Sequence, residues 1–155
     1  VNAKPLPPIS ELVKRQGDAS KGPAVFEQAK CVQCHRAGNL GVDFGPALSE
    51  IGDKLPKDAL YTAILDPSAA IEHNYSGTRI QTDEGDDVVG IIVSETDSDL
   101  QLRIPGGIIR KYSIASIFER TPVKTSLMPV GLQLAMTEQD LVDLVTWLST
   151  LKKAR

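Results

Sequence analysis

The sequence predicts a mainly α fold with a small antiparallel sheet inserted between its helices, and three patterns lead to that reading. Near the start, Gly22 and Phe26 stand one helical turn apart behind Asp18 and Ser20. Either of those can cap a helix that tolerates Pro23 in its first turn. Near the end, Thr137-Glu138-Gln139-Asp140 reads as a capping box ahead of Leu141, Leu144, Val145, Leu148 and Leu151, with Trp147 alongside. Between them, from Tyr75 to Lys124, the spacing changes to the two-residue period of strands, broken by turn-forming clusters.

The elements follow in chain order. Residues 1–16, which open Val1-Asn2-Ala3-Lys4-Pro5-Leu6-Pro7-Pro8, read as a proline-stiffened linker without an apolar signal region. A first helix runs towards Gln28. Glycine facing an aromatic ring suits a close helix crossing, so Gly22 and Phe26 are expected to meet Leu144, Trp147 and Leu148 of the last helix. Residues 67–71 form a short apolar turn of helix. Strands are then expected at 76–82, 88–94, 100–104 and 108–113, with 114–120 as a strand or short helix. Residues 17–155 form one domain, with the β insertion at about 75–124.

Cys31-Val32-Gln33-Cys34-His35 uses both cysteines of the chain in the spacing Cys-x-x-Cys-His, the attachment signature of a c-type haem. Each thiol adds across one haem vinyl group. The two-residue gap lets one turn of chain span both, which places His35 beneath the iron as proximal ligand. Its imidazole must be neutral to bind, with the other ring nitrogen held by a carbonyl. The competing readings are a Cys31–Cys34 disulfide, a thioredoxin-like redox pair and half of a zinc site. Zinc wants more ligands, and the only other histidine is His73. A redox pair belongs in a βαβ pattern that the flanks do not show.

The sixth ligand decides what such an iron can do, and the candidates are Met128, Met136, His73 or none. Met128 precedes Pro129 in a loop, which biases it towards an extended conformation able to aim a thioether at iron. Met136 stands before the capping Thr137, where it reads as a staple packing on Leu141. His73 follows the 67–71 turn and reads as a partly exposed polar residue. With Met128 bound, the reduction potential rises and the iron is closed to outside ligands.

A formal charge of −3, made more acidic by two haem propionates, argues against nucleic acid as a partner. No run of about 18 apolar residues is present to span a membrane. Haem joined through cysteines is fitted outside the bacterial cytoplasmic membrane, so a periplasmic or otherwise exported location is expected, from which a leader was removed or the chain was cut as a domain. Asp83, Glu84, Asp86 and Asp87 lack the ligand spacing of a calcium loop and read as a solvated hairpin turn. Arg103, Arg110, Lys111 and Arg120 form a basic set available to propionates or to an acidic partner.

Gly22-x-x-x-Phe26, Cys31 to His35, Gly45-Pro46, Met128-Pro129 and the closing Leu/Trp helix together resemble a class I cytochrome c. The resemblance implies that the carbonyl of Pro46 accepts a hydrogen bond from His35. His35 and Met128 lie 93 positions apart, longer than the smallest monohaem members need. With the Leu65-Asp66-Pro67-Ser68-Ala69-Ala70-Ile71 segment, the Gly-punctuated β region and the run from Ser126 to Leu132, residues 17–151 resemble the haem-binding domains of planctomycetes and verrucomicrobia. Those commonly end large exported proteins, after a dehydrogenase-like propeller or helical repeats.

What this implies is a non-enzymatic monohaem carrier with one haem c on Cys31 and Cys34, and with His35 and Met128 on the iron. It would take single electrons from a fused or neighbouring oxidoreductase. Two other classes stay open: a gas sensor or peroxide-consuming enzyme with a vacant sixth position, and a partner-binding module stabilised by haem. The insertion holds only Tyr75, Tyr112 and Phe118 as aromatics, too few for a sugar platform. An alternating strand pattern is accounted for by a half-buried sheet, so the insertion reads first as a shield for the haem edge and second as a docking surface.

Overall fold

The computed structural model describes residues 5–154; the start of the expected linker, residues 1–4, lies outside the described residues. Five helices form one lobe: α1 (Ile9–Leu12), α2 (Gly22–Gln28), α3 (Ile51–Lys54), α4 (Lys57–Leu65) and α5 (Glu138–Thr150). The Asp18 carboxylate accepts from the Ser20 N–H and caps a 3-10 turn, Ala19–Lys21, that runs into α2 with Pro23 in its first turn. Thr137 and Asp140 exchange side-chain-to-backbone bonds in a capping box at the start of α5.

The crossing of α2 on α5 is as tight as backbones allow. A Cβ on Gly22 would fall 2.1 Å from the Cβ of Trp147, and the Phe26 ring meets the Trp147 ring edge-on with centroids 5.4 Å apart. On the same helix, the buried Asp143 carboxylate accepts from the Asp18 backbone N–H and from Gln139 Nε2, both at 2.8 Å. Leu12 is fully buried, with Leu6, Ile9 and Val13 packed around the same core, and the Tyr61 hydroxyl donates to the Leu12 carbonyl at 3.3 Å. Residues 5–16 are therefore part of the folded body rather than a free linker, because Leu12 supplies apolar surface that the short helices need to cover.

The second lobe overturns the expectation of a mainly α fold. Helical residues make up 35% of the chain and strands 25%. Beyond a two-residue hairpin of β1 (Arg36–Ala37) and β2 (Leu40–Gly41), five antiparallel strands run as β3 (Gly77–Thr82), β4 (Asp87–Glu95), β5 (Asp99–Ile104), β6 (Ile108–Ser113) and β7 (Ile117–Val123). They lie in the order β6-β5-β4-β3-β7, a meander whose last strand returns across the 3-10 turn Ile114–Ser116 to pair with the first. The sheet closes its own core of Ile80, Leu100, Leu102 and Tyr112. Such a core makes it a lobe in its own right, while the longest helix has 13 residues, so the architecture is α+β.

Alternation sorts the two faces. Leu100 pairs with Tyr112 on the core side, whereas Ile91, Arg103 and Ile109 line up across β4, β5 and β6 on the other. Among the described residues, two glycines mark close approaches of the sheet to the rest of the chain. Gly107, at the β5–β6 turn, comes so close to Asp43 that a Cβ would lie 3.2 Å from the Asp43 carbonyl oxygen. Gly77, opening β3, leaves room for Leu127, whose Cδ2 would lie 2.7 Å from a Cβ there.

Candidate haem site

The attachment motif is shaped by backbone bonds. After α2, Lys30 adopts φ +66°, the left-handed conformation that turns the chain into the 3-10 turn Cys31–Gln33. The N–H groups of Cys34 and His35 then both donate to the Cys31 carbonyl, at 3.1 and 2.9 Å, which puts both thiols and the imidazole on one turn. The returning chain is pinned to the same turn, because the Phe44 and Gly45 N–H groups donate to the Cys34 carbonyl.

That return brings the next residue to the imidazole. His35 Nδ1 lies 2.7 Å from the Pro46 carbonyl oxygen. A carbonyl only accepts, so Nδ1 carries the proton and the lone pair resides on Nε2, the tautomer a metal ligand needs. Burial holds the His35 pKa below its ordinary value, with the Pro46 bond opposing that shift, so the ring is neutral. Gly45 is the seat of the ring: a Cβ there would stand 2.8 Å from Cε1 and 3.1 Å from Nδ1.

Both cysteines are free and half-buried. Burial pushes the Cys31 thiol up to about 11 and the Cys34 thiol upward as well. Two unbonded thiols and a neutral, oriented imidazole on one turn are the donor set that haem c requires, and the residues fit it. Among the described residues no three His, Cys, Asp or Glu side chains converge on a common point, which leaves the zinc reading without ligands.

Met128 is half-buried and packs against the helical core from its loop. Its N–H donates to Ser126 Oγ at 3.1 Å, and the Ser126 N–H donates to Ser68 Oγ at 2.9 Å, which ties the loop to the turn after α4. Further along, Gln28 Nε2 donates to the Ala135 carbonyl at 2.9 Å, fixing the chain beyond the loop to the end of α2. Met136 is only 1% exposed and sits inside the helical core, while His73 stands exposed on the 3-10 turn His73–Tyr75. Pro67 is buried, but residues 67–71 form turns rather than the expected helical turn.

Sequence reasoning missed Gly45 as the seat of the ring, together with Ser68 and Gln28 as anchors. The Gly45-Pro46 pair did carry a signal, since glycine before the accepting carbonyl allows close approach. Nothing in the sequence marked Ser68 or Gln28. No helix among the described residues is long and apolar enough to cross a membrane. The family model described as Cytochrome c matches residues 19–98, taking in α2, the attachment motif, Pro46 and the first two strands of the large sheet. No curated protein matches the chain.

Proposed function

The chain belongs to the cytochrome c family, and from that premise we propose that it is a single-electron carrier in which His35 and Met128 would hold the iron. Haem c is joined covalently through Cys31 and Cys34. Once bound, it supplies a reversible one-electron couple. The single observation that carries the proposal is the 2.7 Å bond from His35 Nδ1 to the Pro46 carbonyl, which presents Nε2 with its lone pair free.

The chain's own residues do the rest. Pro46 raises the basicity of the imidazole through the bond it accepts, and Gly45 holds the ring in place. The Met128 loop, anchored to Ser68, brings a thioether that favours the ferrous state. The buried core around Phe26, Tyr61, Ile64 and Leu144 excludes water, which lowers the local dielectric.

Cytochrome c domains are typically exported, and we place this one in the bacterial periplasm. Its electrons come from a fused or neighbouring dehydrogenase-like oxidoreductase, a reading supported by the likeness of the Pro67 segment, β region and Met128 loop to the planctomycete and verrucomicrobial domains. The test is an optical spectrum of the ferric protein followed by carbon monoxide added to the reduced form. The wild type should show a methionine-to-iron band and no carbon monoxide binding, and Met128→Ala should lose the band, bind the gas and show a lower potential. A Met128→Ala protein with an unchanged spectrum and potential would remove Met128 from the iron.

A further inference from the structure

Of the basic set in the insertion, Arg120 pairs with Glu95 at 3.0 Å and Lys111 with Asp99 at 3.4 Å, both largely exposed. Arg103 differs. Its side chain is 21% exposed, the lowest among the ion-paired cations, and its partner Asp43 is a single oxygen contact at 3.5 Å. It makes no other side-chain hydrogen bond among the described residues. A guanidinium carries five N–H donors, and one long contact from a half-buried side chain leaves others able to take a further acceptor.

Two features bear on what that further acceptor is. Arg103 borders a cavity of about 520 Å³ whose other polar lining comes from His73, Asn74, Tyr75, Ser76 and Thr78, a donor-rich wall suited to a carboxylate. Asp43, the residue Arg103 reaches, immediately precedes Phe44 and Gly45, which bond to the carbonyl of the haem-tethering Cys34. The anions that the assembled protein must bring to this neighbourhood are the two haem propionates. We propose that Arg103, carried by the β insertion, holds a haem propionate and so raises the reduction potential of the iron. The proposal rests on the reading of the chain as a haem c carrier and adds a role for the insertion in it: neutralising a propionate removes negative charge that would stabilise ferric iron.

The experiment compares purified holoproteins by spectroelectrochemical titration and by the propionate bending band in resonance Raman. Arg103→Gln should lower the potential, shifting the ferric-to-ferrous ratio at a fixed electrode potential roughly tenfold, about 59 mV for one electron. Arg103→Lys should restore most of the potential while the propionate band moves, since an ammonium keeps the charge but not the fork geometry. If Arg103→Gln fails to hold haem, the band shift in Arg103→Lys decides, and an unmoved band rejects the proposal. Arg110→Gln removes the same charge from the neighbouring exposed position and should change neither readout. Asp43→Asn should leave the potential equal or higher.

The inference is overturned if Arg103→Gln behaves like Arg110→Gln. It also falls if Asp43→Asn reproduces the drop, since Arg103 would then act only by fastening the insertion to the motif segment. A wild-type protein without covalent haem would instead defeat the underlying reading, a result visible before any variant is made.

Discussion

Gly45→Ala gives the sharpest test of how the protein tunes its iron. The added Cβ would lie 2.8 Å from His35 Cε1 and 3.1 Å from Nδ1, where ordinary carbon contacts begin at about 3.5 Å. Gly45 is not among the glycines with positive φ, so alanine is allowed in the backbone, and the collision falls chiefly on the imidazole, with a lesser crowding of the Cys34 carbonyl oxygen at 3.3 Å. The ring has to yield by roughly 0.5 Å or more. That displacement takes Nδ1 off the Pro46 carbonyl, now 2.7 Å away.

A hydrogen bond of this kind is worth about 0.5–1.5 kcal/mol net. Its loss makes the imidazole a poorer donor, which disfavours ferric iron more than ferrous. If the full bond energy discriminates between the two states, the potential rises by about 20–60 mV, taking 59 mV per 1.4 kcal/mol for one electron. A redox titration reads the shift, and proton NMR of the Nδ1–H reports whether the bond has gone. An unshifted potential with the Nδ1–H bond gone would refute the link between ring orientation and redox tuning, and an intact bond would refute the steric argument.

Two stability predictions bear on the helical lobe. Gly22→Val puts a branched side chain where a bare Cβ already stands 2.1 Å from the Trp147 Cβ, so the helices must part; a loss of about 1–3 kcal/mol or more should appear as a lower denaturation midpoint at unchanged slope. Asp143→Ala strips the Asp18 N–H and Gln139 of their shared 2.8 Å acceptor and should cost about 1–3 kcal/mol, whereas Asp143→Asn, which keeps an accepting oxygen, should recover part of it; equal losses in the two variants would show that the carboxylate charge, not the acceptor, matters.

What was legible in the chain was mostly local. The Cys31-to-His35 spacing announces covalent haem because attachment demands two thiols and an imidazole within one turn, and the Thr137–Asp140 cap announces α5 because both partners of the box lie within four residues. Strand periodicity likewise showed β3 to β6 at nearly their true positions. Among non-local facts, the crossing of α2 on α5 showed through its glycine and aromatic pair, and most others did not. No pattern within residues 5–16 says that Leu12 will be needed under Tyr61. Likewise the strand runs do not say that five of them will close a separate core, and that step is what turned an expected ornament on a mainly α fold into half of an α+β one.

The same distinction explains why the role proposed for the insertion comes from the register and not from composition. By sequence, Arg103, Arg110, Lys111 and Arg120 are interchangeable cations on alternating strands. Pairing separates them. Arg110 stands opposite Leu102 and stays exposed on the edge strand β6, whereas Arg103 sits on the inner strand β5 between Ile91 and Ile109, on the opposite face. A slip of one residue in β5 would turn Arg103 to the other face and bring Leu102 or Ile104 towards Asp43. A register shift in β4 between Ile92 and Ser94 lies next to this row. If Arg103 holds a propionate as proposed, substitutions that shift the β5 register should lower the potential in a redox titration without touching a single residue of the attachment motif.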